Sequence, residues 1–300
     1  GVGGLMSYPL FREFLAELFP SIEVMKSPSQ AVAIGAALYA KECGKQIDSR
    51  RVPYDLCEKM IEPVSNRYIF VPIIQRGMEI SANEEKVLLP TETESIYRHS
   101  TRSKFYIYDR ASKTTSSLSS DKQRLAQFSP DATKVAFVRA NNIFIKDLNT
   151  DIETQITTDG AVNKIINGAT DWVYEEEFAF DNGFQWNSNG TKIAFYRFNE
   201  EAVPEFSMDV FTNLYPSQTQ FKYPKAGEAN SSVEIYIYDT NTKTTVEAAI
   251  EVEEEFYIPR IKWTKDENIL SVQRMNRHQN NLDFLLVDAK DGSANIIFTE

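Results

Sequence analysis

Between residues 80 and 300 one pattern occurs four times, and no other feature restricts the fold as much. The segments are ISANEEKVLL from Ile80, FSPDATKVAFVR from Phe128, WNSNGTKIAFYR from Trp186 and WTKDENILSVQR from Trp263. Each is an apolar or aromatic residue, a polar turn, then a strand of alternating apolar residues. Pro130-Asp131 and Asn189-Gly190 give the middle two turns hairpin chemistry. Between the units come strands that end in aspartate: FYIYD (105–109), IFIKD (143–147), IYIYD (235–239) and FLLVD (284–288). Unit starts are 48, 58 and 77 residues apart. Each unit therefore reads as roughly a four-stranded meander, and meanders at such intervals read as blades of a β-propeller. A β-sandwich with coincidental similarity is the alternative. The wider intervals predict insertions, notably over 200–230. With the last unit running to Glu300, an incomplete propeller is expected.

The net charge is −11, which argues against nucleic acid or an anionic membrane as partner, since both attract basic surfaces. No apolar run approaches the ~20 residues of a membrane span. No basic start followed by an apolar core opens the chain as a signal peptide would. The two cysteines, Cys43 and Cys57, are too few for a disulfide framework or a zinc site. No cofactor or metal is called for. His99 and His278 are read as structural, neither lying near a Ser/Asp arrangement.

The first eighty residues differ in character. LFREFLAELF has the apolar spacing of a helix, with Pro9 near its first turn. AVAIGAALYAKE is Ala-rich and also helical. VPYDLCEKMIEPVSNRYIFVPIIQRG then turns strand-like and ends in the apolar run Tyr68 to Ile74.

DWVYEEEF (171–178) sets three glutamates among aromatic residues. On composition alone it could be a solvated acidic turn. With INGATDWVYEEEF (166–178), IYRHS (96–100), YRFNEEAVPEF (196–206) and KYPKAGEANSSVEIYIYD (222–239), residues 80–300 resemble the N-terminal propeller of the dipeptidyl peptidase IV family of serine peptidases. The resemblance implies that Glu176 and Glu177 grip the free ammonium of a peptide substrate. It also implies that Arg98 hydrogen-bonds the peptide and steadies the glutamates, with an α/β-hydrolase domain and a possible homodimer as further partners. Glu175 has no role in that reading. The chemistry fits: an α-amine with a pKa near ~8 is mostly cationic at neutral pH, and its three donors suit adjacent carboxylates. The alternative for Arg98 is a surface arginine paired with Glu92 or Glu94.

GVGGLMSYPLFREFLAELFP, KSPSQAVAIGAALYA (26–40) and FVPIIQRGMEI (70–80) resemble instead the end of the nucleotide-binding domain of DnaK-type chaperones. Gly3 and Gly4 align with that family's adenosine-side turn. Leu5 and Ser7 replace its serine and arginine, and Ser29-Gln30 its Asp-Glu, so nucleotide binding is not expected. The expected fold is mainly β: a partial β-propeller of about four four-stranded blades over 80–300, preceded by a small α/β fragment of actin-like ATPase type over 1–79. The two meet near Ile80 without a Pro/Gly/Ser-rich spacer, which suggests either a gene-fusion remnant or two unrelated sequences joined by an assembly artefact.

Function classes stay open at this level: the substrate-binding part of a dipeptidyl aminopeptidase, a chaperone-like ATP-binding protein, or a non-enzymatic propeller interaction module. The peptidase resemblance suggests an extracytoplasmic parent and the chaperone resemblance cytoplasm, so localisation is unassigned. A hydrolase of this kind needs Gly-x-Ser-x-Gly with Asp and His after it, and these 300 residues contain no such elbow. The isolated chain is therefore expected not to turn over a Gly-Pro or Ala-Pro chromogenic substrate. Turnover that a serine-reactive reagent blocks would refute this.

Overall fold

The polar turn of every repeated unit closes by the same bonds. The N–H groups of Ser81, Ser129, Asn187 and Thr264 donate to the carbonyls of Lys86, Lys134, Lys192 and Ile269. Side-chain oxygens of Ser81, Ser129 and Asn187 accept the N–H groups of the same three lysines. Each lysine then stands in register with the aspartate that ends the next strand: Lys86 with Asp109, Lys134 with Asp147, Lys192 with Asp239. The Lys86 and Lys192 ammonium groups pair with those aspartates. The aspartate also shapes its own turn, accepting N–H groups from Ser112, Thr150 and Thr242 respectively. In the fourth unit Ile269 faces Asp288, which keeps the turn bond, to Lys290. Short polar side chains that bond the backbone a few residues on define such turns.

The computed structural model describes residues 56–61, 68–74 and 79–300, the last without 84, 212–213 and 251–254. The expected actin-like fragment, with its Gly3-Gly4 turn and helices, lies outside the described residues except for an antiparallel hairpin of β1 (Leu56–Ile61) and β2 (Tyr68–Ile74) and Glu79. The strand reading of that segment holds.

Beyond it the chain is mainly β. Three antiparallel sheets are simple meanders: β3 (Glu79–Ile80), β4 (Lys86–Ser95), β5 (Thr101–Asp109) and β6 (Thr114–Ser117); β7 (Arg124–Phe128), β8 (Lys134–Arg139), β9 (Asn142–Asp147) and β10 (Glu153–Gln155); and β18 (Phe256–Trp263), β19 (Ile269–Asn276), β20 (Leu282–Asp288) and β21 (Ala294–Thr299). The sheet between the last two is modified twice. Its strands β11 (Ile165–Asn167) and β12 (Phe184–Trp186) both pair with β13 (Lys192–Asn199), and so act as one strand broken by an excursion. That excursion carries DWVYEEEF. A hairpin of β14 (Glu205–Val210) and β15 (Ser217–Lys222) then enters before β16 (Ser232–Asp239) and β17 (Thr244–Glu247). This hairpin is the insertion expected over 200–230.

Two glycines pinch the base of the excursion. Gly168 donates to the Tyr196 carbonyl, Tyr196 donates to Gly183, and Gly183 donates to Gly168. Gly168 has φ +72°, and a Cβ on Gly183 would lie 2.8 Å from the Ala169 nitrogen, closer than backbone tolerates. Only glycine serves both needs cheaply.

Burial follows the period-2 pattern. One apolar cluster joins the second, third and fourth sheets through Val138, Ile143, Phe184, Ile193, Phe198, Ile235, Ile261 and Val272; a smaller one joins the first two through Leu88, Ile107, Phe128, Val135 and Phe137. Removing the Phe184 ring leaves a cavity at the centre of the larger cluster, so Phe184→Ala should cost about 3–5 kcal/mol, read as a lowered urea midpoint at unchanged slope. Ile297→Ala, at a residue 60% exposed, should stay within about 0.5 kcal/mol.

Candidate functional site

DWVYEEEF folds as α1 (Trp172–Glu176), the one α-helix among the described residues. Five residues cannot sustain a helix alone, so its ends and one face must be held. Asp171 is the N-cap: its carboxylate accepts the Tyr174 N–H at 2.9 Å and the Ser231 hydroxyl at 2.6 Å. At the other end the Glu177 N–H donates to the Val173 carbonyl. The buried face is Tyr174. Its ring packs among Phe178, Phe180, Tyr196, Phe198 and Tyr257, and its phenol oxygen accepts the Ile258 N–H at 2.8 Å. Burial pushes the Tyr174 phenol well above the ordinary tyrosine range, so it stays neutral. Trp172 lies edge-on to Tyr223, 4.4 Å between ring centres.

The three carboxylates of the run meet three environments. Glu175 is buried, and its Oε1 accepts the N–H groups of His99 at 2.7 Å and Ser100 at 2.8 Å. Glu176 lies largely covered with the Arg98 Nε 3.3 Å from its Oε2; the Arg98 side chain is 72% exposed. Glu177 is the exposed C-cap residue. The structure thus brings Arg98 to Glu176 across 78 positions of sequence. Glu92 and Glu94, the surface alternatives for Arg98, are engaged elsewhere: Glu92 with Lys104, Glu94 with Arg102 and Lys122.

Arg98 sits at the tip of the turn between β4 and β5. Ile96 donates to the Ser100 carbonyl and Tyr97 to the Ser100 hydroxyl, which closes the turn, and the Tyr97 ring packs on Phe221 of β15. The site is thus assembled from the first sheet, the excursion of the third and the inserted hairpin. The sequence singled out Glu176, Glu177 and Arg98, of which the structure brings Arg98 and Glu176 together; it did not single out Asp171, Tyr174, Glu175 and Ser231, which hold the helix and the turn. For Asp171 a signal existed, an N-cap residue before an aromatic turn; for Ser231, sixty residues away, none did.

Glu200, from YRFNEEAVPEF, is buried beside this machinery. Burial first, then the nearby Asp171 charge, raise its carboxyl to about 7, against the opposing pull of Lys222. Its folded pKa exceeds the unfolded one, so the folded state holds the extra proton between the two values. Stability is greatest below pH ~4.5 in this respect and falls as pH rises towards 7, by roughly 3 kcal/mol for a shift of this size. Melting temperature should therefore drop between pH 5 and pH 8, and Glu200→Gln should flatten that slope. An unchanged slope in the variant would show that Glu200 is not its source.

The family model described as the dipeptidyl peptidase IV (DPP IV) N-terminal region matches residues 81–300. Dipeptidyl-aminopeptidase B of Aspergillus niger is 35% identical over 265 residues, covering 82% of this chain and 29% of that protein. The crystal structure of Porphyromonas gingivalis dipeptidyl peptidase 4 superposes with a TM-score of 0.72 at 34% identity, covering 88% of this chain and 42% of that one. The chain thus spans less than a third of the length of the curated relative. With a match across nearly three quarters of its residues, the chain belongs to the dipeptidyl peptidase IV family, of which it covers the N-terminal region.

Proposed function

We propose that these residues are the substrate-holding part of a dipeptidyl aminopeptidase, the four sheets being consecutive blades of its propeller. In this reading α1 and the 96–100 turn bind the free N-terminus of a peptide. The observation that carries it is the Arg98–Glu176 contact, 3.3 Å long between an exposed turn and a buttressed helix. An ion pair with one partner so exposed adds little stability, about 0–1 kcal/mol. Its use is to arrange charge.

The helix itself supports the reading. Its last turn holds no basic residue, while Glu176 and Glu177 stand at the end where the peptide dipoles are negative. Two carboxylates there repel each other and the helix end. Arg98 relieves part of that repulsion. An incoming ammonium relieves more, donating three charge-assisted bonds to carboxylate oxygens. A blocked amine brings neither charge nor that donor set. Holding the first residue at a fixed place would set the bond presented to a nucleophile in the hydrolase domain of the longer protein, with release of N-terminal dipeptides whose second residue is proline or alanine.

The test is calorimetric titration of the protein with Gly-Pro-Ala bearing a free amine and with its N-acetyl form. The free amine should bind at least about tenfold more tightly at pH 7, as expected for charged hydrogen bonds, and the preference should shrink above pH ~8 as the amine deprotonates. Glu176→Gln should remove most of it. Equal affinity for the two peptides would sink the proposal.

A further inference from the structure

The ammonium-binding reading, on which this inference rests, leaves two buried charges unused. Glu175 is 1% exposed and Arg124 9%. A buried carboxylate without partners is strongly destabilising. Glu175 offsets this with one oxygen, which accepts consecutive backbone N–H groups from His99 and Ser100, a charge-assisted arrangement. Its Oε2 is buried and makes no hydrogen bond, and neither do Nε and Nη2 of Arg124. The Arg124 guanidinium, itself disfavoured by burial, feels the charges of Asp181 and Glu175 and the Tyr97 phenol. β7 carries a bulge between Arg124 and Gln127, with Leu125 at φ +56°, directly after the Arg124–Val138 pair. Bulges and strained backbone of this kind re-aim side chains at functional places.

Consecutive residues of α1 therefore address consecutive members of one turn. Glu176 meets the side chain of Arg98, and Glu175 holds the backbone directly after it. The Arg98 side chain is exposed and long, so its ion pair alone cannot fix the turn. We propose that Glu175 is a positioning residue for substrate binding: it clamps the backbone of residues 99–100 to α1 and so places Arg98 over Glu176, with Arg124 as the buried counter-charge. A simple cross-link between the first and third sheets is the rival account. It differs in one respect, because a cross-link stabilises the protein whether or not Arg98 is present.

The experiment is a double-mutant cycle on the 300-residue protein, titrated with free and N-acetylated Gly-Pro-Ala. Glu175→Ala and Arg98→Ala should each weaken binding of the free peptide about tenfold, the scale of one charged hydrogen bond. The double variant should be no worse than either alone, because Glu175 acts through Arg98. Glu175→Gln keeps an acceptor oxygen for the two N–H groups and should recover most of the affinity. Arg124→Met should weaken binding beside the native Glu175 and change little in the Glu175→Gln background. Losses that add in the Arg98 cycle, or a Glu175→Ala protein that keeps its preference for the free amine, would overturn the positioning role while leaving the ammonium site standing. A native protein with no such preference would remove both. If Glu175→Ala loses its near-ultraviolet signature of folded aromatics, the Glu175→Gln and Arg124→Met pair decides alone, and additive losses there overturn the role.

Discussion

Everything at this site depends on where Tyr174 goes. Its ring enters an aromatic cluster formed by the third and fourth sheets, and its hydroxyl takes a backbone N–H from the fourth. A five-residue helix has too few internal bonds to define its own orientation, so the buried ring does that. Once Tyr174 points inward, the helical period places the following glutamates around the other sides: one against the 96–100 turn, one towards Arg98, one into solvent. The aromatic setting of the acidic run is therefore its mounting.

The surroundings of the helix are unusually acidic. Asp171, Glu175 and Glu200 are buried there, and Glu176 and Glu177 lie nearer the surface. The first two suit the positive end of the helix; the last two oppose its negative end. Such an arrangement keeps its fold because Tyr174, the N-cap bonds and the backbone clamp outweigh the repulsion. It also stores an attraction for any cation that fits. A charge balance of −11 across the whole chain extends the same bias outward and disfavours anions.

How much of this was legible depended on range. The strand–turn–strand units were visible because alternation and turn chemistry are local: Ser81, Ser129 and Asn187 act within five residues, and Asp109, Asp147 and Asp239 within three. The pairing of Arg98 with Glu176 came from resemblance, since nothing local connects two residues 78 positions apart. Glu175 was passed over because its two bonds go to backbone N–H groups, which no side-chain pattern announces. Arg124 was missed for a similar reason: a single arginine beginning a strand reads as a surface residue, and nothing near it in the sequence announces that it is buried. The split of one strand into β11 and β12 was hidden because neither half is long enough to show a period.

That split has a further consequence. The excursion leaves the ladder at Asn167, opposite Arg197, and rejoins it at Phe184, opposite Phe195. Its two ends are thus pinned two residues apart on the same neighbouring strand, and the sheet, not the segment itself, meets the entropy of closing the loop. A segment anchored in this way behaves as a cassette. Provided Tyr174 keeps its place, the rest of its interior can lengthen, shorten or change its charges without altering the register of any strand, so the carboxylates it carries are free to vary while the scaffold stays fixed.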